Sequence, residues 1–191
     1  MNKENKTVLP IFLIAIDGHG GSGKSTLAKL LAEKLSSEII HTDDFAGWDN
    51  PLDWWPLVVE RVFEPIASGS KSLNYPRSKW WATHNPEPVV GQSVTSIMIL
   101  EGVSALRKEF RPYINYSIFV DTPKSVCLQR GLERDRGTDG KSDAEILAMW
   151  EKWSQDEEKY IARDNPMKFA DLVVHGTKPF DVHVRNIIDT F

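Results

Sequence analysis

The sequence predicts an α/β fold in three layers, a parallel β-sheet with helices on both faces. Three observations carry that expectation. Short apolar runs alternate with segments whose apolar residues recur at helical spacing, the pattern of βα units. Between the first run and the first helix stands Gly18-His19-Gly20-Gly21-Ser22-Gly23-Lys24-Ser25, which fits G-x-x-x-x-G-K-[ST]. The apolar runs end in acidic residues, at the strand ends where open α/β sheets hold their ligands.

Each element follows in order. Residues 9–16 are an apolar run closing on Asp17, the pattern of a buried strand. The glycine-rich stretch comes next. Phosphate oxygens need several N–H donors converging from one side, and side chains would block that approach. Glycines supply bare amides and tolerate positive φ, and the following helix points its positive end at the anion. Gly18, Gly20, Gly21, Ser22, Gly23, Lys24, Ser25 and Thr26 are therefore the candidate nucleotide-binding residues. Lys24 would reach the β- and γ-phosphates, and the Ser25 hydroxyl would ligate Mg²⁺. Residues 24–36 carry Leu27, Leu30, Leu31 and Leu35 on one helical face.

Residues 38–41 are a short apolar strand, with Thr42-Asp43-Asp44-Phe45 at its end. An acidic pair there is placed to meet a γ-phosphate and a nucleophile; a turn with an N-cap role is the alternative. Pro56 opens a helix whose face is Val58, Val59, Val62, Phe63 and Ile66, and Arg61 projects from it as a candidate substrate ligand. Residues 70–92 predict an irregular hairpin or an extended flap. Three prolines between Pro76 and Pro88 argue against a central strand. Five of the seven tryptophans fall between Trp48 and Trp81. Aromatic faces stack on flat rings, so the segment carrying Trp48, Trp54, Trp55, Trp80 and Trp81 is the candidate acceptor pocket, with Trp80, Trp81, Arg77 and Asp44 as candidate substrate contacts and plain packing as the alternative.

Residues 94–100 form another buried strand, ending in Glu101-Gly102. A carboxylate there would face Ser25 and help hold Mg²⁺. Asp121, at the end of the apolar run 116–120, competes for the role. Glu101 is preferred because Gly102 lets the backbone come close, and Asp121 precedes the helix-start pair Thr122-Pro123, where it would cap. Residues 123–135 read as a helix with Arg130, Arg134 and Arg136 at its C-terminal end. Three arginines running into Gly137-Thr138-Asp139-Gly140-Lys141 suggest a short cationic lid, about 134–142, suited to polyphosphate. Ser142 followed by Glu145 is a capping box. It opens a helix whose stripe of Ile146, Met149, Trp150, Trp153, Tyr160 and Ile161 reads as core packing, and which ends before Pro166. Residues 171–175 are the last strand, residues 176–179 its exit loop, and residues 180–191 a closing helix.

Bulk properties bound the function. A chain of 191 residues suffices for one domain with a sizeable core. A formal charge of −4 without a basic block disfavours nucleic acid. Residues 8–16 are too short and wrongly flanked for a signal peptide or a membrane span. The single cysteine, Cys127, rules out an internal disulfide framework and reads as a packed small hydrophobe, so the chain is expected in the cytoplasm.

Taken together, Asp17 through Thr26, His41 through Phe45, Leu100 through Val103, Phe119 through Thr122 and Arg130 through Arg136 resemble the uridine kinase-like branch of the P-loop nucleoside kinases. They run in family order across nearly the whole chain. The resemblance implies one P-loop kinase domain over 1–191, with a five-stranded parallel core, a short lid and an acceptor-side insertion at about 47–92. It implies Mg·ATP as donor and a small hydroxylated molecule, a nucleoside above all, as acceptor, handled by a monomer or homodimer without nucleic acid or membrane. It assigns the base to Asp43, with a water-mediated approach to Mg²⁺ as a second role. It assigns metal holding to Glu101 beside Ser25, and phosphate clamping to Arg130, Arg134 and Arg136. Ala46 stands where the family has Tyr, and residues 48–81 depart from its uridine-binding pattern. Kinases of a sugar, nucleotide or vitamin remain as alternatives. A regulatory NTPase would need Asn-Lys-x-Asp after a strand, whereas the Asn-Lys pairs here are Asn2-Lys3 and Asn5-Lys6.

Overall fold

A computed structural model describes residues 8–47, 50–78, 88–137 and 140–189. Its centre is a five-stranded sheet in the order β2-β5-β1-β6-β7. The strands are β1 (Phe12–Gly18), β2 (Glu38–His41), β5 (Ile97–Glu101), β6 (Tyr116–Asp121) and β7 (Leu172–His175). Every pairing is parallel, as the alternation of strand and helix predicts.

Side-chain alternation explains the three layers. Leu13 and Ala15 of β1, Met98 and Leu100 of β5 and Phe119 of β6 enter one buried cluster, with Val58, Val62, Phe63 and Phe110 above them. Ile14, Ile16, Ile99, Ile118, Val120 and Val174 point to the opposite face. There they meet Leu27, Ala28 and Leu31 of α1 (Lys24–Leu35) and Val184 and Ile187 of α7 (Asp181–Ile188). Strands buried on both faces need apolar residues at successive positions, which is why these runs are continuous.

The helix expected from Pro56 is observed in three segments, α2 (Trp55–Val58), a π-helical turn (Val59–Phe63) and α3 (Glu64–Ala67). Pro65 has no N–H to give to the carbonyl of Arg61, and the ladder widens just before it. The region 70–92 contains an antiparallel hairpin of β3 (Ser72–Pro76) and β4 (Val89–Ser93). It lies apart from the main sheet, where the prolines do no harm. The helix expected over 123–135 is α4 (Lys124–Asp135). Its N-cap is Pro123 and no side chain caps it, so Asp121 does not take the capping role expected of it.

The capping box is formed as predicted. Glu145 Oε2 accepts from the Ser142 amide at 2.8 Å, and Ser142 Oγ accepts from the Glu145 amide at 3.3 Å. It opens α5 (Asp143–Asp164), followed by a single turn, α6 (Pro166–Phe169). The inward stripe of α5 is less apolar than the sequence suggests, since Glu157 and Asp164 are buried in it beside Ile146, Trp150 and Tyr160. No helix among the described residues is long and apolar enough to cross a membrane.

Candidate active site

Parallel register brings the carboxyl ends of the strands to one edge. Glu101 sits opposite Ile16 on one side and His41 on the other, and Gly18 lies opposite Val120. The phosphate loop leaves from the middle of that edge. Gly18, Gly21 and Gly23 adopt φ of 147°, 76° and 105°, in the region where a side chain is strained. A Cβ on Gly21 would also run into the carbonyl of Cys127, so the loop is packed down onto α4. Helix α1 begins at Lys24 with no side-chain cap, which leaves the amides of its first turn for a ligand. Thr26 lies exposed on that turn. The Ser22 hydroxyl is buried with no hydrogen-bond partner among the described residues. The Lys24 ammonium is buried against the loop and donates to the His19 carbonyl at 2.8 Å.

Glu101 joins the loop to β2. Its Oε1 accepts from Ser25 Oγ at 2.9 Å, and its Oε2 meets His41 Nδ1 at 2.7 Å. Burial alone would raise its pKa. The His41 hydrogen bond, Lys24 and Ser25 outweigh that and hold it below the usual carboxylate range. Gly102, at φ 141°, allows the close approach, because a Cβ there would collide with the Thr42 hydroxyl. Burial lowers the His41 pKa, but Glu101 and then Asp44 and Asp43 more than compensate, and the net shift is upward.

The acidic pair divides. Both residues lie in a 3-10 turn, Thr42–Asp44, at the end of β2. The Asp43 pKa is pushed up to about 6, first by burial and then by the charge of Glu101, against the pull of Lys24, His41 and Arg134. Asp44 is buried and bound by Arg77 Nε at 2.5 Å. Burial raises its pKa and Arg77 opposes the rise. The same hairpin exit is stitched to the turn by the Ser78 amide, which donates to the Asp44 carbonyl at 2.7 Å, and by the Ser78 hydroxyl, which donates to the Ala46 carbonyl. Asp44 and Arg77, both expected to meet substrate, are thus joined to each other.

The arginines occupy three different settings. Arg130 Nη1 donates to the carbonyl of Gly176 at 3.1 Å and lies 3.5 Å from that of Ser22, spanning the phosphate loop and the loop after β7. Arg134 is gripped by both Asp135 oxygens, at 2.6 and 3.1 Å, and lies 5.6 Å from the Trp150 ring centroid. Its side chain is more than half exposed; burial pulls its pKa down, but the hydrogen bond and charge of Asp135, then the charges of Asp43 and Glu101, outweigh that, and the net shift is upward. Arg136 is exposed, 3.7 Å from Asp143. Arg61 is half-buried on the π-helical turn, away from these contacts.

Part of the tryptophan cluster belongs to the core. Trp54 is buried, gives its indole N–H to the Pro51 carbonyl at 2.9 Å and stacks on Phe45. Trp55 packs against the same cluster. Trp48, Trp80 and Trp81 lie outside the described residues. Sequence reasoning missed the roles of His41, Asp17 and Glu157. Asp17 accepts from the amides of Gly18, Ser104 and Leu106 and from the Tyr160 hydroxyl, so it anchors the segment after Glu101 to β1 and α5. Glu157, a carboxylate in an otherwise apolar stripe, was a visible signal.

Mg²⁺ takes hard oxygen ligands and retains water and phosphate oxygens beside one or two protein groups. Ser25 Oγ and the Glu101 carboxylate suit that ion, and the repulsion between Glu101 and Asp43 is what a cation would relieve.

A family model described as Phosphoribulokinase / Uridine kinase family matches residues 59–183. The chain is 29% identical over 184 residues to a uridine kinase of Schizosaccharomyces pombe, covering 84% of this chain and 39% of that protein. It is 25% identical over 185 residues to a uridine kinase of Serratia proteamaculans, covering 85% of each. Among solved structures, it resembles a possible uridine kinase from Bacillus stearothermophilus with a TM-score of 0.59 and 22% identity, over 89% of this chain and 91% of that one. It resembles a putative fructose transport system kinase from Silicibacter with a TM-score of 0.60 and 20% identity, over 86% and 89%. These structural likenesses show a shared fold.

Proposed function

The chain belongs to the phosphoribulokinase/uridine kinase family, and from that premise we propose that it transfers the γ-phosphoryl group of ATP to a hydroxyl of a nucleoside. The observation that carries the reading is Asp43. It is a carboxylate with a pKa pushed up to about 6, beside the Ser25–Glu101 pair and the phosphate loop. A general base works best when its pKa lies near the working pH.

Phosphoryl transfer asks the protein for position and charge neutralisation more than for covalent chemistry. The loop amides and Lys24 hold the β- and γ-phosphates. Ser25 and Glu101 would hold Mg²⁺, which when bound would neutralise charge on the phosphate oxygens. Asp43 takes the proton of the acceptor hydroxyl as that oxygen bonds to the γ-phosphorus and ADP leaves. Arg134, held by Asp135 at the end of α4, is the arginine assigned to the transferring group. Asp44, neutralised by Arg77, is a poor base, which favours Asp43 as the acting member of the pair. Excluding water keeps ATP from hydrolysis, the work of a closing lid.

A coupled assay of ADP release over nucleosides, pantothenate-like acceptors and sugars tests this. Acceptor-dependent turnover with a nucleoside, above the rate with the other classes, is expected. Turnover confined to a sugar or a pantothenate-like acceptor would reject the nucleoside, and ADP release independent of every acceptor would reject the kinase.

A further inference from the structure

We propose that Glu157 is the positioning residue for Lys24, acting through the peptide that joins His19 to Gly20. This rests on the reading of residues 18–25 as the nucleotide site. Glu157 comes from α5, the helix that follows the lid, and is 3% exposed. Its Oε1 accepts from the Gly20 amide at 2.9 Å and from the Trp153 indole at 2.8 Å, and its Oε2 meets His19 Nδ1 at 3.1 Å. The carbonyl of that same peptide is the one that Lys24 Nζ grips at 2.8 Å.

A trans peptide is planar, with its N–H and C=O pointing in opposite directions. Fixing the N–H therefore fixes the C=O, and the C=O fixes the ammonium. The Gly20–Glu157 bond is also charge-assisted and polarises the peptide, which strengthens acceptance at the carbonyl. Packing alone does not call for a carboxylate at this place. A buried charge is costly to desolvate, and an apolar residue of similar volume would hold α5 against the loop at least as well. What the carboxylate adds is a directed acceptor for a loop amide.

The same helix face links this peptide to the lid. Trp150 lies two turns before Glu157; its ring would collide with a side chain at Gly131, and with the Glu157 carboxylate it would crowd one at Gly20. Its indole donates to Asp135 at 2.9 Å, and Asp135 holds Arg134. Arg134 of α4, through Asp135, and Lys24 of α1, through the His19–Gly20 peptide, are thus both tied to one face of α5.

The test is ADP binding by calorimetry, with unfolding measured in parallel. Glu157→Ala should weaken ADP binding on the order of tenfold, as expected for losing a hydrogen bond to a charged group. It should raise KM for ATP more than it lowers kcat. Glu157→Gln keeps an oxygen for Gly20 and offers an N–H to His19, so it should bind ADP within about threefold of wild type. Glu157→Asp keeps the charge but withdraws it by one methylene and should resemble Ala. It serves if the Ala variant fails to fold. In a Lys24→Ala background, Glu157→Ala should cost less than about threefold, because the two act in series. A loss of stability with unchanged ADP affinity, a Gln variant as weak as Ala, or additive losses in the double variant would each overturn the proposal. Wild-type protein that bound no ADP would instead overturn the nucleotide site itself.

Discussion

Replacing Asp43 by asparagine should make the protein less active and more stable at once. The Asp43 pKa is raised from the ordinary 3.8 to about 6, chiefly by burial and by Glu101. The folded protein thus holds that proton more tightly than the unfolded chain does. Between about pH 4 and pH 6 the native state is protonated there and the unfolded state is not, so stability falls as pH rises through the window and levels off above it. Two pKa units correspond to about 3 kcal/mol, a ceiling because the carboxylate keeps some contact with water. The asparagine side chain lacks the charge. The Asp43→Asn variant should therefore gain about 1–3 kcal/mol of stability at pH 7.5, and the gain should vanish near pH 4. Turnover should fall by about 10²–10⁴-fold, the usual worth of a positioned base. In the wild type, kcat/KM should drop about tenfold from pH 7 to pH 5 as Asp43 takes up its proton. Urea unfolding at the two pH values and a coupled ADP-release assay measure both effects. An Asp43→Asn variant that is less stable than wild type at pH 7.5, or that turns over normally, would refute the reasoning.

Three further outcomes are expected. Lys24→Ala should weaken nucleotide binding or abolish turnover with an unchanged unfolding midpoint, read by calorimetry and circular dichroism; wild-type turnover would place the site elsewhere. Glu101→Gln keeps the shape of the side chain but removes the charge next to Ser25, so the Mg²⁺ concentration for half-maximal rate should rise on the order of tenfold in a metal titration. Arg77→Met strands the buried Asp44 carboxylate and should cost about 2–4 kcal/mol at pH 7.5, and the cost should shrink as the pH falls and Asp44, whose pKa burial already raises, takes up a proton. If that variant instead kept its stability and raised the acceptor KM, Arg77 would be the substrate ligand that its place in the sequence suggests.

Spacing along the chain was enough to specify the strands, most of the helices and the phosphate loop. Its signals are apolar runs buried on both faces, leucines at helical intervals and glycines ahead of Lys24. Glu101 was legible too, because Gly102 beside it marks a close backbone approach. The packed molecule was needed wherever a side chain's partner is remote in sequence. Asp43 and Asp44 are neighbours of equal chemistry. Only the return of the hairpin, 33 residues on, singles out Asp44 as the partner of Arg77. Trp54 reads like a pocket wall until its ring is seen stacked on Phe45 inside the core. Arg134 and Arg136 both end at the surface, but one is held by its neighbour Asp135 and the other lies near Asp143 of the next helix. Glu157 meets Gly20 across 137 residues. Local spacing sets backbone geometry because the backbone repeats, whereas a carboxylate's partner depends on which distant segment the packed sheet brings within about 3 Å of it.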